Sequence, residues 1–245
     1  MKTIKNAIFT ILFLTLSIFT ALLAYLHFFA SENEDFSGEW TAYLDMTERA
    51  AVEAYSWLQD IEAVSVSFED METYMQGLTV EVNIIMEQTG NSEGTFRCNV
   101  SQESYDACKK AAYEAFAAAF KELLTERLHM AGYTDIVERE DIEALVNETF
   151  GMSTVSYLMT YGPALIPTLE DLQSEYDGSG TYEAAEDILT RKFDTGGLAA
   201  IKSEYYILKD SSLILSGEAV ADSADASSDY YPVIYTLTQP DDFEK

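Results

Sequence analysis

From Asn6 to Ala30 the chain reads NAIFTILFLTLSIFTALLAYLHFFA, without one Asp, Glu, Lys or Arg. This run constrains the chain more than any other feature. As a helix rising about 1.5 Å per residue it exceeds the roughly 30 Å hydrocarbon core of a bilayer. A cleaved secretory segment has a shorter apolar core, about 7–15 residues, and ends at a small-x-small site. Here a cut after Ala30 would place Phe28 at the third position before the break, and a cut after Ala24 would place Leu22 there. No cysteine lies near the exit to take a lipid. An uncleaved signal-anchor is therefore expected over residues 6–30. Lys2 and Lys5 precede it and Ser31–Asp35 (SENED) follow. Because positive charge stays cytoplasmic, residues 1–5 are expected inside and everything after the anchor extracytoplasmic.

Charge narrows the function classes. The only charged side chains before residue 31 are Lys2 and Lys5, so the remainder holds 12 basic against 43 acidic residues, a net charge of −31. Such a surface repels nucleic acid and anionic head groups. Apolar and aromatic content is ample, so the acidity coats a folded core and does not signal disorder. The roughly 200 residues beyond the anchor suffice for one domain. Residues 31–37 read as a linker, 38–238 as the domain and 239–245 as a tail.

Hydrophobic period sets the element types. Trp40, Ala42, Leu44 and Met46 alternate with polar neighbours, as do Leu78, Val80, Val82, Ile84 and Met86. QTGNSEG is a turn, and Thr95–Val100 returns as the hairpin partner. Helices are expected after Thr47, over a short SFEDMETYMQG segment, and from Ser101 as a cap through about Ala131, with Tyr105, Cys108, Ala112, Phe116 and Phe120 on one face. Shorter ones follow near 140–150, 154–161 and 168–176, and EAAEDILTRKF reads as another. Strands resume at Ser203–Lys209, Leu213–Ser216 and Tyr231–Thr238. The expected fold is α+β: an antiparallel meander of about six strands with a helical insertion at about 101–195.

This layout resembles the exported lipocalin-like, or calycin-like, envelope proteins of Gram-positive gut bacteria. The matching residues are Gly38-x-Trp40 with Asp45-Met46-Thr47, Gly94-Thr95-Phe96, the Ala/Glu-rich helix from Ser101, the Gly151-Met152-Ser153 break and the closing YYILKDSSLIL…YTLT strands. The resemblance implies a barrel and an envelope location. It implies no catalytic residues.

Several motifs suggest chemistry. Read as a twelve-residue calcium loop, Glu175–Glu186 places Glu175, Asp177, Ser179, Thr181 and Glu186 at ligand positions, with Gly180 at the sharp turn. Against it, Glu replaces the usual leading Asp and no second such loop exists; a simple turn is the competing reading, with no cofactor at all. Gly90-x-Ser92-x-Gly94 spells a nucleophile elbow, but a strand follows it and no histidine is placed to act as base, so a hairpin turn is expected. Asp194-Thr195-Gly196 spells one aspartic-protease triplet where two are needed. His129 stands without a second histidine or a cysteine cluster for a metal. Cys98 and Cys108 lie either in a bridge stapling strand to helix or as two buried thiols.

Together these readings point to a single-pass membrane protein whose domain binds an envelope protein or a small ligand. The other class considered is a hydrolase acting on envelope polymers through paired carboxylates.

Overall fold

Val80, Val82, Ile84 and Met86 turn inward on β2 (Thr79–Gly90), and the residues between them face out. The computed structural model describes residue 20 and residues 34–60, 67–133, 138–194, 201–219 and 230–238. Apart from Thr20, the expected anchor lies outside the described residues; among those described, no helix is long and apolar enough to cross a membrane. β1 (Gly38–Asp45) pairs with β2 along its whole length, Gly38 opposite Met86 and Asp45 opposite Thr79, and adds Trp40, Ala42 and Leu44 to the same inner face.

The remaining strands extend this sheet in order. They are β3 (Glu93–Val100), β4 (Gly178–Ala185), β5 (Ile188–Phe193), β6 (Ile201–Lys209), β7 (Ser212–Glu218) and β8 (Val233–Thr238). β8 returns to β1, with Glu39 opposite Thr238 and Thr41 opposite Thr236, so the meander closes into an eight-stranded antiparallel barrel. Closure removes every edge that could template aggregation.

Eight strands, and not about six, is a correction to the sequence reading. The two missed strands are β4 and β5, which occupy the segment read as calcium loop and helix. EAAED is rich in good helix formers, but pairing with β3 on one side and β6 on the other overrides that preference. Gly180, Tyr182 and Ala184 point inward, and Glu186 and Asp187 close the hairpin with φ of 52° and 64°, the geometry of a two-residue primed turn. Gly180 is obligatory in this pairing, because a Cβ there would stand 1.9 Å from the Lys192 carbonyl oxygen. The helical insertion consequently ends at residue 177, not near 195.

The helices described between residues 47 and 176 gather at the end of the barrel where β1 finishes. α1 (Thr47–Asp60) and α2 (Phe68–Tyr74) join β1 to β2. α3 (Gln102–Met130), α4 (Arg139–Phe150), α5 (Thr154–Tyr161) and α6 (Leu169–Tyr176) join β3 to β4. The caps agree with the sequence: Ser101 accepts from Ser104 N at the start of α3, and Gly151 ends α4 with a left-handed φ of 71°. The apolar face expected for α3 is the one buried, and the hydroxyls of Tyr105 and Tyr113 tie it to the carbonyls of Pro167 and Pro163.

The opposite end, where β1 begins, is closed by the chain itself. Phe36 is fully buried, with ring centroids 5.5 Å from Tyr182 and 5.3 Å from Tyr206, and its carbonyl accepts from Trp40 Nε1 at 2.8 Å. Glu34 accepts a hydrogen bond from Tyr206 Oη. The stretch expected to be a plain linker therefore supplies the barrel's plug.

Candidate functional site

An eight-stranded barrel has an interior that side chains either fill or leave open for one small ligand. Here they fill it. Trp40, Val82, Ile84, Phe96, Leu189, Leu213, Leu215 and Tyr235 are all buried within a single continuous core. Toward the helical end, two charged residues join them: Arg191 from β5 and Glu204 from β6, 5% and 1% exposed. The strand register sets Glu204 opposite Leu189, so Arg191 is its diagonal neighbour two residues along.

Both carboxylate oxygens of Glu204 accept hydrogen bonds. Arg191 Nε and Nη2 donate to Oε2 at 3.0 and 2.5 Å, and Tyr231 Oη donates to Oε1 at 2.6 Å. Lys202 Nζ lies 3.9 Å from Oε1 and 5.7 Å from the ring centroids of both Tyr176 and Tyr231. The Arg191 guanidinium is flanked by the Phe96 and Phe193 rings, each centroid 5.8 Å away. Burial pushes the Glu204 carboxyl up, but Arg191, Lys202 and the Tyr231 hydroxyl together hold it below its ordinary value. Burial and the adjacent carboxylate push Tyr231 well up, so it remains a neutral donor. Arg191 stays charged because Glu204 outweighs its loss of solvent. Buried to 1% exposure and held by Arg191 and Tyr231, Glu204 faces no open surface where a substrate could meet it. The cluster is a clamp joining β5, β6 and the entry to β8.

The residues singled out as calcium ligands do not converge. Glu175 is near the end of α6, Asp177 is its C-cap and accepts from Val100 N at 2.6 Å, Ser179 and Thr181 face outward on β4, and Glu186 sits at the hairpin tip. At about 3.3 Å per residue, the strand alone holds Asp177 and Glu186 roughly 25 Å or more apart. Among the described residues, no group of three or more His, Cys, Asp or Glu side chains could hold a metal. Gly90–Gly94 is the β2–β3 turn, as expected, with Ser92 at φ 57°. Asp194 accepts from Ser179 Oγ at 2.9 Å, while Thr195 and Gly196 lie outside the described residues. His129 is in the last turn of α3.

Cys98 and Cys108 are both buried and unbridged in the structure, the second of the two alternatives. Cys98 points into the barrel and donates to the Gly178 carbonyl at 3.4 Å. Burial pushes both thiols up to about 11, so they are protonated and poorly nucleophilic at neutral pH. The native protein should leave a thiol-specific disulfide reagent unreacted, and unfolding without reductant should release two equivalents. Reductant should not move the melting temperature. Fewer than two equivalents would mean a bridge after all.

Open surface features lie outside the lumen. A cleft of about 460 Å³ beside α1 is lined by Asp45, Glu48, Arg49, Val52, Glu53 and Tyr230. Another of about 410 Å³ runs over the outer faces of β2, β3 and β4, beside Ile85, Arg97 and Asp194. On the helical cap, Phe150, Tyr157 and Tyr161 form an aromatic row with centroid spacings of 4.6 and 5.2 Å, and Phe150 and Tyr161 are 48% and 60% exposed.

Sequence reasoning missed Arg191 and Glu204. The available signal was a basic and an acidic residue on opposite sides of one hairpin, but it can be read only once residues 188–193 are taken as strand. No protein-family model, curated protein or solved structure matches the chain.

Proposed function

We propose that this chain is a membrane-anchored, extracytoplasmic interaction module of a cell envelope, built on a lipocalin-like barrel. It works by docking an envelope partner on its outer surface, with no enclosed ligand and no catalysis. The observation that carries this reading is the filled lumen. Phe36 and Trp40 close one end, the Arg191–Glu204–Tyr231 clamp occupies the other, and six helices cover that mouth. Binding surface must then be external, and the exposed aromatic row on α4 and α5 offers large amphipathic side chains of the kind enriched at protein interfaces. Anchorage rests on the uncharged segment 6–30. Only five residues separate Ala30 from Phe36, at most about 20 Å of chain, so the plugged end would stand near the membrane and the helical cap would face away from it.

Two measurements test the reading. In membranes from cells expressing the full chain, the protein should stay with the pellet through high salt and alkaline carbonate. Protease added to the outer side should digest the domain. Release by carbonate would end the anchor reading. A photo-crosslinker at Tyr161 should yield one discrete adduct that is lost in Phe150→Ser, whereas a crosslinker at Ile85 should not. Equal labelling from both places would remove the cap as the docking face.

A further inference from the structure

The outer wall formed by β6, β7 and β8 differs from the rest of this acidic surface. The register sets Ile207 opposite Ile214 and Ile214 opposite Ile234, so three isoleucines stand in a row across three strands. Ile207 and Ile234 are 56% and 55% exposed, and Tyr205 beside them on β6 is 48% exposed. Around them the outward positions carry Ser203, Ser212, Ser216 and Thr236, with Lys209 at the end of β6 opposite Ser212. From Ile201 to Ser216 on β6 and β7, and along β8, no outward strand position holds a carboxylate. The opposite wall does the reverse, with Glu81 and Glu87 on β2, Glu93 on β3 and Glu183 on β4 facing out.

We propose that this wall is the contact face of a homodimer. A basic partner would be drawn to the acidic faces, not to the one wall from which acids are missing. A second copy of a chain with net charge −29 has the opposite requirement: it can approach closely only where neither surface presents carboxylates. A two-fold contact brings the same patch to itself, which this neutral isoleucine row satisfies. Tyr205, Ile207 and Ile234 each offer on the order of 100 Å² and Ile214 less, and the surrounding Ser and Thr rim extends the patch toward the roughly 800 Å² per partner of a stable interface. The contact rests on the wall alone. Its orientation rests on the proposed anchorage: a two-fold axis along the barrels points both plugged ends the same way, so both anchors enter one membrane.

The test uses the full chain in detergent micelles, with the protein mass measured by sedimentation over a concentration series. The wild type should have twice the mass of one chain. Ile207→Glu with Ile234→Glu should halve that mass, raising the dissociation constant about a hundredfold or more. Ile85→Glu, on the acidic wall, should leave the dimer intact. Circular dichroism and melting temperature verify that each variant is folded, and Ile234→Lys alone replaces the double variant if that loses its fold. A monomeric wild type would overturn the proposal, whether the wall is bare or covered by another segment of the chain. So would a double variant that stays dimeric, since association would then belong to the anchor or another face. Neither outcome touches the anchor reading, which carbonate extraction decides independently.

Discussion

Glu204→Ala is expected to unfold about 3–5 kcal/mol more readily than the wild type, because it strands the Arg191 guanidinium in the barrel without a counter-charge. For a domain of this size each kcal/mol moves the melting temperature by about 2–4 °C, so the loss should reach roughly 6–20 °C. The double variant Arg191→Met with Glu204→Leu should recover most of it, since two apolar side chains of similar volume need no solvent. Urea melts of the three proteins decide the matter. A single-variant loss below about 1 kcal/mol would show that water reaches the pair. The clamp also makes acid stability specific. Folding holds the Glu204 carboxyl below its ordinary value of 4.5. Above pH 4.5 both the folded and unfolded chains are ionised there, and the full contribution is present. As pH falls through 4.5 and on through the lower folded value, the unfolded chain takes up its proton first and the contribution disappears. The stability difference between wild type and Glu204→Gln should therefore be constant near neutrality and shrink on acidification.

Phe36→Ala should cost about 3–5 kcal/mol, the range for deleting a fully buried aromatic ring. The ring is not part of any strand, yet it fills the space between Tyr182 and Tyr206, and its removal opens the barrel's end. Exposed Tyr43 on β1 provides the control, because Tyr43→Ala should stay within about 0.5 kcal/mol of wild type. If both variants melt alike, Phe36 is not the plug, and residues 34–37 are only a tether.

How much of this was legible depends on whether a pattern is local. The helix from Ser101 announced itself through its cap and its apolar face, and β2 through an alternation with no competing period. These features need no distant partner: a 3.6-residue or 2-residue period in hydrophobicity is already a statement about which face meets the core. The β4–β5 hairpin failed the same reasoning because Glu and Ala favour helix in isolation, while neighbouring strands on both sides supplied the hydrogen bonds that settle the conformation.

Face choice was hidden for a different reason. Along Glu204–Leu208 the two alternating sets, Glu204, Tyr206 and Leu208 against Tyr205 and Ile207, are almost equally apolar. The sequence even disfavours the set that turns inward, since it carries a carboxylate. Only the closed barrel decided it, by placing Arg191 on the neighbouring strand and Tyr231 at the mouth, where their donors offset the desolvation of Glu204. The same decision left Ile207, Ile214 and Ile234 outside. The alternation of β1 and β2, the extent of the helix from Ser101 and the uncharged leading segment were thus properties of the amino-acid order by itself. The count of strands, the plug, the buried ion pair and the neutral outer wall were decided by tertiary structure, because each depends on residues that meet only after the sheet has closed.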